Sequence, residues 1–202
     1  FRYCHPEINM KKIIKLFDPC IGKEEETVLK KVLYSGNWAS GSGVGQVSKF
    51  EKAFQKYIGS KDAISVNSGT AALHLALSLL NIKEKEVILP SLSFVSTAQA
   101  VLYNGGIPVF ADVNEKTLCL DPNDVKKKIN EKTKVILPVH FAGMPAPLKE
   151  IQDIATTNHA IVVEDAAHAC GSKYEGKKIG SHSPLVCFSF HPVKNLAMPT
   201  GG

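Results

Sequence analysis

Residues 63–80 read AISVNSGTAALHLALSLL and join a short β-rich run to an apolar helix pattern through a turn that contains glycine. The run at 63–66 predicts a strand, and the apolar spacing of 71–80 predicts a helix. Between them, Asn67-Ser68-Gly69-Thr70 places free backbone N–H groups at the helix start, where they favour an anion such as a phosphate. An ordinary Ser/Thr helix cap would explain the same residues.

The same alternation of strand and helix patterns continues along the chain. Apolar, β-rich runs lie at residues 87–89, 108–111, 135–139, 161–163 and 185–190, and helical patterns lie at 24–35, 46–58, 95–103, 123–129 and 148–156. This order predicts an α/β fold with a mostly parallel central sheet flanked by helices, and continuous apolar strands fit a sheet covered on both faces. We expect an N-terminal arm and helix over residues 1–45, followed by one α/β domain over 46–202.

Composition excludes several classes of protein. The formal net charge is +5, but the lysines at 126–128 lie among acidic residues, which is typical of a solvated helix face and not of a nucleic-acid surface. No run of 18 apolar residues predicts a membrane span, and no signal peptide is visible. Five dispersed cysteines without a CxxC pair favour thiols in a reducing compartment over a disulfide framework. We therefore expect a cytoplasmic protein that binds neither nucleic acid nor membrane.

Ligands of open α/β sheets bind beyond the carboxyl ends of the strands. Three further strand ends carry side chains that could contact such a ligand. Phe94 follows the second strand and can stack on a flat ring, although an isolated phenylalanine is more often a core residue. Glu164, Asp165 and His168 follow the strand at 161–163 as a cluster of two acids and a histidine. A carboxylate there can pair with a protonated ring nitrogen or cap a helix, whereas one histidine offers too few ligands for a metal, so we expect no metal site.

The last strand end carries a lysine. Lys194 lies in a turn after the run at 185–190, with Ser189 five residues earlier. A lysine can form a Schiff base with a carbonyl compound, and a serine hydroxyl can hold a phosphate, although a lone lysine is usually surface charge. Together, a phosphate cradle, a stacking aromatic ring, a carboxylate and a lysine are what pyridoxal phosphate requires. The glycine-rich fingerprints of mononucleotide and dinucleotide sites are missing, which disfavours an unrelated nucleotide-binding module.

The sequence resembles the sugar aminotransferases of the DegT/DnrJ/EryC1/StrS family, whose members have the type I fold of pyridoxal-phosphate-dependent transferases. The resemblance runs from about Ile13 to Asn195 and is carried by residues 33–38, 67–77, 90–97, 163–169 and 188–195. It implies that Lys194 is the Schiff-base lysine and that Asp165 pairs with the pyridine nitrogen, as the two catalytic residues. It also implies that His168 contacts the phenolic oxygen, that Phe94 stacks on the ring, and that Gly69, Thr70 and Ser189 contact the phosphate.

The resemblance further implies a homodimer with each site completed by the partner subunit, an amino-acid donor such as glutamate, and a nucleotide-linked keto-sugar as acceptor. Two stretches depart from the family pattern. Glu84-Lys85-Glu86-Val87 stands where the family has Gly-Asp-Glu-Val, and Met198-Pro199-Thr200-Gly201-Gly202 stands where it has a Gly-Glu-Gly-Gly turn after the lysine. The chain is expected to be truncated before a C-terminal small domain. Two alternatives stay open: a pyridoxal-phosphate-dependent sugar dehydratase of the same family, and a cofactor-binding but inactive fragment or regulator.

Overall fold

The computed structural model describes residues 18–38 and 45–202. The expected start of the family resemblance at Ile13 and most of the predicted N-terminal arm lie outside the described residues. The chain divides into two compact units, Phe1–Phe50 and Glu51–Gly202. Helix α1, Lys23–Ser35, belongs to the first unit, and helix α2, Gln46–Ile58, begins in the first unit and ends in the second.

Helix α1 has sequence signals at both of its ends. Glu24, Glu25 and Glu26 occupy its first turn, where negative charge is favoured by the helix dipole. The Glu25 carboxylate also accepts the backbone N–H of Gly22 at 2.7 Å. Gly36 follows the helix with φ 70°, a left-handed conformation that glycine adopts without strain. The helix predicted at 24–35 is therefore confirmed.

A five-stranded parallel sheet forms the centre of the second unit. Its first four strands are β1 (Glu86–Pro90), β2 (Ile107–Ala111), β3 (Thr133–Ile136) and β4 (Ile161–Asp165). A short antiparallel hairpin of β5 (Lys173–Tyr174) and β6 (Lys177–Lys178) then precedes the fifth sheet strand, β7 (Leu185–Cys187). The strand order is β2-β1-β3-β4-β7 and every neighbouring pair is parallel. The order reverses direction between β1 and β3, and ligand sites of open α/β sheets lie at such switch points.

Helices cover both faces of this sheet. Helices α3 (Gly69–Ser78) and α4 (Val95–Tyr103) pack on one face, and α5 (Pro122–Lys128) and α6 (Leu148–Thr157) pack on the other. Side chains of a strand point alternately to the two faces, so Val87 and Leu89 of β1 join the α3–α4 side while Ile88 joins the α5–α6 side. This arrangement confirms the predicted α/β fold with a mostly parallel central sheet flanked by helices.

Three strand predictions need correction. The run at 135–139 is a strand only as far as Ile136, where β3 ends, and Val139 forms one isolated bridge to Asp165. Residues 63–66 form no named strand: Val66 exchanges two backbone hydrogen bonds of 3.0 Å with Gly202, and Ile64 is 73% exposed. A β-rich run becomes a strand only where a neighbour pairs along it, and in the described ranges that pairing is limited to the Val66 end. The predicted strand at 185–190 is also shorter, because pairing with β4 stops at Cys187 and the chain then turns toward the start of α3.

The cysteines differ in their covalent state. Cys119 and Cys187 are buried free thiols, and Cys170 is a half-buried free thiol. Cys20 is disulfide-bonded, so the expectation of free thiols is wrong at that residue. Among the residues that the structure describes, no helix is both long enough and apolar enough to cross a membrane.

Candidate active site

Asp165 is the last residue of β4, and its side chain is buried. Thr97 Oγ1 donates a hydrogen bond to Asp165 Oδ2 at 2.9 Å, and the backbone N–H of Ala167 donates to Oδ1 at 3.1 Å. Burial raises the pKa of Asp165 above its ordinary value, while these two donors and the charges of His168 and His140 oppose the rise. The predicted acid is thus held in place by two donors and keeps lone pairs for a third.

Lys194 lies in the turn that follows β7. Its backbone N–H donates to the carbonyl oxygen of His191 at 2.8 Å, and its side chain is half-buried. Burial lowers the pKa of Lys194, and the attraction of the Asp165 carboxylate opposes this effect. The fold therefore brings the predicted lysine within electrostatic reach of the predicted acid. Because the neutral amine is the form that attacks a carbonyl, the lowered pKa favours the chemistry predicted for this residue.

His168 lies three residues beyond Asp165, close to the same two groups. Burial lowers the pKa of His168, the charge of Lys194 lowers it further, and the Asp165 carboxylate opposes both effects. The backbone N–H of Ala142 donates to Nδ1 of His168 at 3.3 Å, and the ring of Phe141 meets the imidazole edge-on at 5.9 Å. Since Nδ1 accepts a hydrogen bond, a neutral His168 carries its proton on Nε2 and has that N–H available as a donor.

The start of α3 meets the segment after β7. Ser68 caps the helix by accepting the Ala71 N–H at 3.1 Å, and Thr70 Oγ1 donates to Ser96 Oγ at 2.8 Å. A Cβ added to Gly69 would lie 2.8 Å from Cβ of Ser189, so only glycine allows this approach. The structure therefore brings together the three predicted phosphate contacts, Gly69, Thr70 and Ser189, around a helix N-terminus that favours an anion.

Phe94 is the residue that precedes the first turn of α4. Its side chain is 71% exposed, which excludes the alternative of a core phenylalanine. Thr97, one helical turn further on, is fully buried and donates to Asp165. The start of one short helix therefore places an exposed aromatic ring one turn away from the side chain that donates to the buried acid.

The turn after Lys194 is anchored to neighbouring segments despite its departure from the family pattern. Asn195 Nδ2 donates to the carbonyl oxygen of Cys170 at 2.6 Å, and the N–H of Met198 donates to the carbonyl oxygen of Phe190 at 2.7 Å. Thr200 Oγ1 donates to the carbonyl oxygen of Asn67 at 2.8 Å, next to the phosphate cradle. The altered turn thus closes the lysine loop and ties it to the segment that begins α3.

The two acids of the predicted cluster do not act on the same side of the sheet. Glu164 is fully buried and its Oε2 lies 2.9 Å from Nε2 of His140, which is also fully buried. Neither His140 nor Thr97 was expected from the sequence, because each reaches its partner across 24 or more residues. The helical spacing of Thr97 from Phe94 was the one available signal for it. In residues 18–38 and 45–202, no group of three or more His, Cys, Asp or Glu side chains is arranged to hold a metal ion.

The chain is similar to a known protein family and to curated proteins of that kind. The model of the DegT/DnrJ/EryC1/StrS aminotransferase family matches residues 19–202. The spore coat polysaccharide biosynthesis protein SpsC of Bacillus subtilis is 42% identical over 185 residues, which are 91% of this chain and 47% of SpsC. The chain spans about half the length of the curated relatives that it matches.

Two solved structures share the fold. PseC of Helicobacter pylori, an aminotransferase involved in the biosynthesis of pseudoaminic acid, has a TM-score of 0.86 and 31% identity, over 94% of this chain and 51% of PseC. The PLP-form of Spr1654 of Streptococcus pneumoniae has a TM-score of 0.87 and 30% identity, over 94% of this chain and 52% of Spr1654. By the family match and by its fold, the chain belongs to the DegT/DnrJ/EryC1/StrS aminotransferase family.

Proposed function

We propose that this chain forms the pyridoxal-phosphate-binding part of an enzyme that moves an amino group from an amino acid to a keto-sugar. The observation that carries the proposal is the meeting of Asp165, His168 and Lys194 at the ends of β4 and β7, where their charges act on one another. Membership of an aminotransferase family supports it, as do the descriptions of PseC and SpsC. A nucleotide-linked acceptor sugar and glutamate as donor are the finer parts of the same proposal.

The described residues fit pyridoxal phosphate. The backbone at Gly69 and Thr70 and the hydroxyl of Ser189 would hold the phosphate, because they surround the N-terminus of α3 at a point where no side chain fits on Gly69. The exposed ring of Phe94 would stack on the pyridine ring. The PLP-form of Spr1654, a structure with the same fold, supports this choice of cofactor.

The three titratable groups divide the chemistry between them. When bound, pyridoxal phosphate supplies an electron sink for the negative charge left on the amino acid as its α-proton departs. Asp165 would hold a proton at the pyridine nitrogen, and the Nε2–H of His168 would donate to the phenolic oxygen. Lys194 would bind the aldehyde and, once released, would take the α-proton as a base and return it as an acid. Its lowered pKa increases the neutral fraction that this role requires.

The two alternative functions, a sugar dehydratase and an inactive binder, can each be distinguished from transamination. In the sugar dehydratases of the family a histidine replaces the lysine, so the presence of Lys194 favours transamination. An inactive fragment or regulator would bind the cofactor without transferring an amino group. A homodimer with shared sites, a cytoplasmic location, and the division into an arm over 1–45 and a cofactor-binding domain over 46–202 belong to the proposal as well.

The absorption spectrum of the chain incubated with pyridoxal phosphate tests this function. We expect the visible band of a lysine-linked cofactor in the unchanged chain and in Lys149→Ala, a control at an exposed lysine. Lys194→Ala should lose the band, because Lys194 is the amine that lies within electrostatic reach of Asp165. In the unchanged chain, added glutamate should bleach the band, because the amino group of glutamate is transferred to the cofactor. A missing band in the unchanged chain contradicts the proposal, and a band that glutamate leaves intact points to the inactive binder.

A further inference from the structure

Two hydroxyl groups connect the buried Asp165 carboxyl to the outer part of the site. Thr97 Oγ1 lies 2.9 Å from Asp165 Oδ2, and Ser93 Oγ lies 2.6 Å from Thr97 Oγ1. Thr97 is fully buried, whereas Ser93 is half-buried and lies in the loop between β1 and α4. The three groups therefore form a line from the inside of the domain toward its surface.

The protons that each of the three groups carries determine which group donates in each hydrogen bond. An ionised carboxylate only accepts hydrogen bonds, so Thr97 uses its one hydroxyl proton toward Asp165. The contact between Ser93 and Thr97 must then be made with the Ser93 proton, which leaves Thr97 both accepting and donating. When Asp165 is instead protonated on Oδ2, that O–H can donate to Thr97, and both hydroxyl groups can rotate so that Thr97 donates to Ser93. No covalent bond changes in the rotation.

We propose that Ser93 and Thr97 form a reversible hydroxyl relay that keeps the Asp165 carboxyl hydrogen-bonded in both of its protonation states. A buried polar group that loses its partner is costly, so a carboxyl that exchanges a proton with a ligand needs neighbours that can both donate and accept. Thr97 is able to do both, while the other partner of Asp165, the Ala167 N–H, can only donate. Ser93 and Thr97 are positioning residues that act through Asp165.

Other charged and titratable groups around Asp165 cannot do this. His168 and Lys194 act on it electrostatically from the loops after β4 and β7. His140 does so from the segment after β3, although its imidazole is hydrogen-bonded to Glu164. Among the described contacts, none of these three side chains forms a hydrogen bond with the Asp165 carboxyl. Cys187 on the neighbouring β7 stays a thiol, since burial and the two nearby acids raise the pKa of Cys187 to about 12. The hydroxyl groups of Thr97 and Ser93 are therefore the ones that can keep the Asp165 carboxyl hydrogen-bonded when it is ionised and when it is protonated.

The purpose of the relay rests on the proposed function, because pairing with a pyridine nitrogen is what would require Asp165 to share a proton. Its hydrogen bonds can nevertheless be tested without cofactor. The pKa of Asp165 can be followed in the cofactor-free chain by NMR titration of the side-chain carboxyl carbons, with the Asp165 signal assigned by its loss in Asp165→Asn. If the chain binds no pyridoxal phosphate, the proposed function is contradicted. The titration of Asp165 in the cofactor-free chain can still be interpreted.

Thr97→Val removes the hydroxyl and keeps the shape, whereas Thr97→Ser keeps the hydroxyl. A donor stabilises the carboxylate more than the neutral acid, so Thr97→Val should raise the pKa of Asp165 by about one pH unit, while Thr97→Ser should leave it near the wild-type value. Ser93→Ala, outside the core, should raise it by a smaller amount. An unchanged pKa in Thr97→Val, or equal shifts in Thr97→Val and Thr97→Ser, would overturn the relay. If Thr97→Val does not fold, Ser93→Ala decides, and an unchanged pKa there overturns it.

Discussion

Glu164 and Asp165 are neighbours in sequence, both are buried, and yet they belong to different parts of the molecule. Asp165 is held by Thr97 on the α3–α4 side of the sheet, where Lys194 and His168 also lie within electrostatic reach. Glu164 points the other way and its Oε2 lies 2.9 Å from Nε2 of His140, while its second oxygen, Oε1, has no hydrogen-bond partner among the described residues. Both residues are carboxylic acids, so the face of the strand to which each one points decides whether it belongs to the site or to the interior.

The strand itself explains this separation. Successive side chains of a strand point to opposite faces, so Asp165 shares its face with Val163 of the α3–α4 cluster, and Glu164 shares its face with Val162 of the α5–α6 cluster. The Nδ1 atom of His140 accepts the backbone N–H of Ala146 at 3.0 Å, so His140 donates from Nε2 to Glu164. Glu164 and His140 are thus hydrogen-bonded to each other inside the domain, whereas Asp165 lies within electrostatic reach of Lys194 and His168.

Neutralising each acid in turn should give the largest contrast. Asp165→Asn cannot hold a proton at the pyridine nitrogen in the same way, and we expect the rate at which glutamate bleaches the bound cofactor to fall about 100- to 1000-fold. Glu164→Gln keeps the shape of a side chain that faces away from the site, and its rate should stay within about threefold of the wild type. Stopped-flow absorbance measures both rates. Equal losses in the two variants would remove the distinction between the two acids.

Removing His140 should reveal the structural role of the second acid. His140→Ala removes the one hydrogen-bond partner that the buried Glu164 side chain has among the described residues, and we expect the free energy of unfolding to fall by about 3 kcal/mol. Urea denaturation of the cofactor-free chain measures this loss. In a Glu164→Gln background the same substitution should cost less, because no charge is left unpaired. A cost that is the same in both backgrounds would show that the pair is not coupled.

The pH dependence of stability should show the smallest effect and belongs to Asp165. Its folded-state pKa is raised above the ordinary value of 3.8, so the folded chain binds more protons than the unfolded chain between these two values. Stability from this group is therefore present below pH 3.8 and is lost as the pH rises through the folded pKa, by about 1.4 kcal/mol for each unit of difference. Asp165→Asn should lack this loss when urea midpoints are compared across pH. A difference between the two chains that does not change with pH would contradict it.

The sequence was sufficient for the fold class and for the residues that sit at strand ends. Alternating strand and helix patterns predicted a layered α/β sheet, and the end of an apolar strand located Asp165 because ligand sites follow strand ends. The strand at 63–66 was predicted wrongly, since its composition says nothing about whether a neighbour is available to pair with it. The role of Thr97 was not predicted, because its hydrogen bond to Asp165 joins residues that are 68 positions apart in the sequence. Glu164 was grouped with Asp165, although successive side chains of a strand point to opposite faces and the two residues are neighbours in the sequence.

We propose that Lys194 and Asp165 together hold pyridoxal phosphate. The most direct test is to incubate the chain with pyridoxal phosphate, reduce it with borohydride, and locate the labelled lysine by peptide mass spectrometry. Reduction makes a lysine link permanent, so the position of the label reports the anchor itself. We predict that the label lies on Lys194. A label spread over exposed lysines such as Lys149, or no label, would contradict the account.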